Sequence, residues 1–259
     1  KWRKLKGNYL EMNKIFFLKL SWFLLLLIPL TFFGFYHTYF SKLLSPMNSL
    51  YHIHAFVMVL WVLMAIVQPF LIKQKKTKLH RLIGKSSYYI MPVVFITTYL
   101  VIRHTYDTQI SIKTTEATNE TSALTNDQIL TEAASYIVVG FIYFIWLVTF
   151  YLLAILNRKK MLFHATYMFA AILTILGPTV ERLIYHVVTY FGAKYNFLAQ
   201  NGVMLFIVLL LLSLTIYQKR KGNSVKPAII SMLIYIAGIL AIFFLPNTHI
   251  WRLFIELIL

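Results

Sequence analysis

The sequence contains no cysteine. Disulfides, thiolate metal sites and cysteine nucleophiles are therefore excluded, and any metal or haem ligand must come from histidine, methionine, carboxylate or tyrosine. Charge is also scarce. Asp, Glu, Lys and Arg make up 13% of the 259 residues, against roughly 25% in a soluble domain. Acid is scarcer still, with 8 Asp and Glu against 25 Lys and Arg. There is no internal repeat, no Gly-rich phosphate loop, no H-E-x-x-H and no G-x-S-x-G. What fills the chain is hydrophobic side chains, at 59%, too many to be hidden from water by folding alone. A net charge of +17 would suggest nucleic acid in a soluble protein. Here the cations sit in short runs between apolar segments, which is how a membrane protein sets its orientation, so no nucleic-acid partner is expected.

A helix crossing about 30 Å of hydrocarbon needs roughly 20 mostly apolar residues. Seven stretches meet that test: about 17–39, 51–72, 83–104, 134–156, 162–189, 199–217 and 227–246. All are read as helices, because backbone left unpaired in lipid is prohibitive. The expectation is an all-α integral membrane protein, a single domain of about seven transmembrane helices. The first stretch is read as a retained anchor, since no A-x-A cleavage site follows it. Met12 looks like a start residue, which would make 1–11 an upstream extension.

Cations alternate between connections. Lys1, Arg3, Lys4, Lys6, Lys14 and Lys19 precede the first span; Lys73, Lys75, Lys76, Lys78 and Arg81 follow the second. Arg158, Lys159 and Lys160 follow the fourth, and Lys219, Arg220, Lys221 and Lys226 the sixth. The intervening connections carry only Lys42, Lys113 and Lys194. The positive-inside rule then puts the N-terminus in the cytoplasm and the C-terminus outside. The partners this implies are the lipid bilayer and, at the basic loops, anionic headgroups; the expected location is a bacterial cytoplasmic membrane. The polar segment 105–133 is expected to be an outer loop, partly disordered or loosely packed. Within it Asn119-Glu120-Thr121 matches a glycosylation acceptor, a triplet common by chance.

Ionisable groups within spans are candidates for function. His80, Lys85 and His164 fall near cytoplasmic ends; His54, Arg103, His104 and His186 fall near outer ends. The spacing His80 to His104 and His164 to His186 invites two haem-binding histidine pairs. At 1.5 Å per residue, however, each pair is about 33–36 Å apart, the depth of the membrane. The sharper idea joins His80 with His164 at the inner end, as ligands to a b-type haem or another metal. Its alternative is a histidine beside a basic strip touching headgroups. In the second span His54, Met58, Trp61, Ala65 and Gln68 line one helix face. His52, about 200° from His54, cannot share that face. Gly84 and Ser87 extend the His80 face with small residues that let a neighbouring helix approach. In the fifth span Pro178, Glu181, Arg182, Tyr185 and His186 crowd together. Glu181 could pair with Arg103 or Lys85, or take part in a polar path with Arg182 and Gln68.

The run HAFVMVLWVLMAIVQPFLI, a basic loop and LHRLIGK resemble a bacterial family of predicted multi-pass membrane proteins of unknown function, with a His-to-Gln helix followed by H-R-x-x-G-[KR]. The matching positions are His54, Trp61, Gln68, His80, Arg81, Gly84 and Lys85. KKMLFHATYMFAAILTILGPTVERL is similar to that family's basic-start helix ending in an arginine, here Arg182, although His164 stands where the family has a basic residue. The resemblance implies a fold and marked residues rather than a reaction. Three functions stay open: a histidine-ligated haem or metal redox protein, an ion-coupled carrier using Glu181, Arg182 and Gln68, and a non-catalytic assembly protein.

Overall fold

In the computed structural model the described residues are 22–119, 124–192 and 197–259, and every regular element among them is helical. A short apolar stretch, Trp22–Gly34, ends in α1 (Leu27–Gly34). It is followed by α2 (Ser49–Lys73), α3 (Thr77–Asn119), α4 (Asn126–Leu156), α5 (Met161–Tyr190), α6 (Phe197–Arg220), α7 (Lys226–Phe244) and α8 (His249–Ile258). Six of these, α2 through α7, are long and apolar enough to cross a membrane, so the architecture is that of a multi-pass helical membrane protein. The first expected span begins at 17. Its start, the cationic segment through Lys19, Met12, Glu120 with Thr121, and Lys194 lie outside the described residues.

Local chemistry marks the helix ends. Asn48 caps α2, its side chain accepting from the Leu50 amide at 2.9 Å. Thr125 and Gln128 form a reciprocal capping box at the start of α4, and Thr248 caps α8 through the Trp251 amide. Pro227 occupies the first turn of α7, where its missing N–H is harmless.

The segment expected to be a loose loop is largely helical. α3 has 43 residues, about 64 Å of helix and roughly twice the hydrocarbon thickness. Its polar end holds because hydroxyls fold back onto carbonyls four residues earlier: Thr105 to Val101, Thr108 to His104, Ser111 to Asp107 and Thr114 to Ile110. Such bonds satisfy the side chain without opening the helix. Lys113 bridges Glu116 at 3.1 Å and, across the connection, Glu132 of α4 at 3.2 Å.

The chain divides into two compact units, Lys1–Thr97 and Thr98–Leu259, with the boundary inside α3. In the first, α2 and α3 run antiparallel. His54 meets Thr97, Met64 meets Ser86 and Gln68 lies beside Gly84, so contacts advance along one helix as they recede along the other. Trp61, fully buried, and Ala65, 3% exposed, sit on the inward face the periodicity marks.

The second unit packs α4, α5, α6, α7 and α8 around Trp146, Phe150, Leu173 and Tyr235, all buried. Two glycines admit rings: a methyl at Gly177 would overlap the Tyr143 ring, and one at Gly238 the indole of Trp146. α8 was not expected from the sequence. Its Trp251 indole donates to the Ala134 carbonyl at 2.7 Å, and Arg252 pairs with Asp127 at 2.8 Å and with Glu256 at 3.3 Å. These contacts seat the C-terminal helix against the first turns of α4, the end at which four antiparallel helices beginning with α4 must finish.

Candidate functional site

In the first unit the two neighbouring histidines of α2 diverge as helix geometry requires. His52 Nδ1 lies 3.2 Å from the Tyr39 hydroxyl, whereas His54 Nδ1 lies 3.2 Å from Thr97 Oγ1. Thr97 Oγ1 also lies 2.9 Å from the Val93 carbonyl oxygen and 3.2 Å from that of Val94; with its one proton given to either, its oxygen accepts from His54 Nδ1. His80 lies seventeen residues of helix from Thr97, about 26 Å, so His54 and His80 occupy opposite ends of this hairpin. His80 is half-buried and Lys85 is exposed.

Gln68 is the unusual group of this unit. Both its Oε1 and its Nε2 are shielded from solvent, and neither has a hydrogen-bond partner among the described residues. The close approach of α3 at Gly84 brings helix backbone up to the amide: a methyl at Gly84 would stand 3.9 Å from Gln68 Nε2.

In the second unit His164 Nδ1 lies 2.9 Å from the Ala154 carbonyl oxygen. A carbonyl cannot donate, so Nδ1 carries a proton, and in a neutral ring the lone pair is then on Nε2. The short connection between α4 and α5 explains the contact, since ten residues separate the partners across the turn. His104 and His186 sit at the other end of their helices, each half-buried, and Arg103 is exposed.

Glu181 receives the Tyr143 hydroxyl at 3.0 Å. Among the described residues it forms no ion pair with Arg103. Arg182 turns back on its own helix, donating from Nη1 to the Pro178 carbonyl at 2.9 Å. Gly177, one turn before Glu181, makes room for the Tyr143 ring. Tyr143 then continues into an aromatic column, with ring centroids 5.2 Å to Trp146, 4.5 Å from Trp146 to Tyr235 and 5.0 Å from Tyr235 to Phe150. Tyr235 and Trp146 direct their polar atoms to backbone carbonyls, Ala170 at 2.9 Å and Ile234 at 3.0 Å. Sequence reasoning found Glu181 but not Tyr143, since nothing in the chain ties a tyrosine to a carboxylate 38 residues away.

Among the described residues no group of three or more His, Asp or Glu side chains is arranged to hold a metal ion. Comparison of the chain with protein-family models, with curated proteins and with solved structures found no match in any of the three.

Proposed function

We propose that this chain is a seven-span protein of a bacterial cytoplasmic membrane, N-terminus cytoplasmic and C-terminus outside, which ligates a b-type haem through histidine for electron transfer. The observation that carries the reading is the His164–Ala154 hydrogen bond at 2.9 Å. Ligating histidines are held in this way, with one ring nitrogen donating to a carbonyl so that the other presents its lone pair to the metal. His54 Nδ1 is likewise engaged, by the Thr97 hydroxyl. Haem suits these residues better than a bare ion does. A bare ion needs several protein ligands, and the described residues offer no such group, whereas a porphyrin supplies four donors and leaves one or two positions for histidine. His80, His104 and His186 are the remaining candidates for axial positions.

The test is the visible spectrum of detergent-purified protein produced with haem supplied. A Soret band is expected, together with its loss or clear reduction in His164→Ala. Protein without a Soret band, and without metal by elemental analysis, would end the reading. Tags at the two termini should report opposite sides of the membrane.

One observation favours a second reading, an ion-coupled carrier: Glu181 is a carboxylate within a span that accepts the Tyr143 hydroxyl across to α4. Substrate or proton flux in vesicles that disappears in Glu181→Gln would select it.

A further inference from the structure

We propose that the Gln68 carboxamide, in the α2–α3 hairpin of the first unit, is a binding site for an uncharged lipid-soluble molecule whose polar end carries a hydroxyl donor beside an oxygen acceptor. That is the chemistry of a quinol ring or of a protonated fatty-acid carboxyl group. The inference goes beyond haem ligation and does not depend on it.

The argument begins with unmet hydrogen bonds. A primary amide offers two donors and an acceptor. In Gln68 both ends are shielded from solvent, and neither has a partner among the described residues. Native structures rarely leave such groups empty, and those that do point to an occupant. The neighbouring hydroxyls are engaged with their own helix. Ser86 donates to the Ile83 carbonyl at 2.7 Å, Ser87 to the Gly84 carbonyl at 2.7 Å, and Thr97 to Val93. Pro69 sharpens the polarity of the place, because it cannot supply the N–H that the Ala65 carbonyl would otherwise accept. Across from the amide stands Gly84, where an added methyl would be 3.9 Å from Gln68 Nε2.

Position selects the kind of occupant. Gln68 lies five residues before Lys73, about 7.5 Å along α2, inside the apolar part of the span. Val67 and Leu63, about 100° and 140° around α2 from Gln68, are exposed, so in a membrane the outer side of this helix faces lipid. A ligand reaching this depth must be lipid-soluble. It must also be uncharged, since a neutral amide cannot compensate a charge moved out of water. Oε1 requires a donor and Nε2 an acceptor, so a quinol fits better than the oxidised quinone, which has no O–H.

The experiment is calorimetric titration of the full-length protein in lipid nanodiscs with short-chain ubiquinol kept reduced, with the corresponding ubiquinone, and with dodecanoic acid. Saturable binding of the quinol or of the acid is expected, and which of them binds identifies the source. Gln68→Leu should weaken it by about tenfold or more while the ligand-free melting temperature holds or rises. Gly84→Ala should weaken it too, by setting a methyl 3.9 Å from Gln68 Nε2. Alanine is the better helix former, so that loss would not reflect unfolding. The proposal is overturned if neither compound binds the wild type, as when a single water fills the place, or if either variant binds with wild-type affinity.

Discussion

Two glutamines on membrane helices face different demands. In the second unit Gln218, 3% exposed, gives its Nε2 to Thr166 Oγ1 at 3.0 Å, and only its Oε1 lacks a partner. In the first unit Gln68 has neither end met among the described residues. The surroundings differ in the same direction. Around α4 and α7 the indoles of Trp146 and Trp251 and the hydroxyl of Tyr235 each reach a backbone carbonyl, so polarity there closes helix-to-helix contacts. Along the α2–α3 hairpin the hydroxyls of Ser86, Ser87 and Thr97 are turned back onto their own helix, and the amide is left over. Buried polarity thus fastens helices in the second unit, whereas in the first it does so at His54 and Thr97 and leaves the Gln68 amide over.

The comparison breaks first if the second unit is not held by its aromatic column. Trp146→Ala removes a ring that fills the space above Gly238 and an indole bonded to Ile234. It is expected to destabilise by about 3–5 kcal/mol, read from unfolding of the reconstituted protein in denaturing mixed micelles. A loss below about 1 kcal/mol would mean that the column does not hold the unit together. A smaller effect, about 1–3 kcal/mol, is expected of Gly177→Ala, because the added methyl drives the Tyr143 ring off its seat. The same variant should break the Tyr143–Glu181 bond. Combining it with Tyr143→Phe should therefore destabilise by less than the two single effects added together, and strict additivity would sever the proposed link.

Most of the frame was legible in the sequence because hydropathy over a span-length window reports burial in lipid directly. The stretches 51–72, 162–189 and 227–246 differ from α2, α5 and α7 by no more than a residue or two at each end. α8 escaped because ten residues are too few for such a window, although Thr248 ahead of Trp251 and Ile255 carries a cap and a one-turn repeat. The helical continuation of α3 escaped for a different reason. Thr and Ser read as loop formers, and only the local bonds to Val101, His104 and Ile110 reverse that tendency. At the candidate site, the inward stripe of His54, Trp61 and Gln68 follows from helical period alone. The Gly177–Tyr143 and Gly238–Trp146 seatings depend on partners 34 and 92 positions away, beyond anything that periodicity encodes.

The smallest expected effect separates the two glutamines most sharply. Gln218→Leu removes the acceptor-seeking amide from Thr166, a buried hydroxyl at 3% exposure, and should destabilise by about 0.5–1.5 kcal/mol. Gln68→Leu removes an amide that has no partner among the described residues to lose. Replacing an unsatisfied polar group by an apolar one of similar size is neutral or stabilising, so its unfolding free energy in ligand-free protein should equal or exceed that of the wild type. Binding and stability would then oppose each other at one residue, as they do where a site is kept for an occupant rather than for the fold. If both variants destabilised alike, Gln68 would be fastening helices as Gln218 does, and the distinction between the units would fail at its narrowest point.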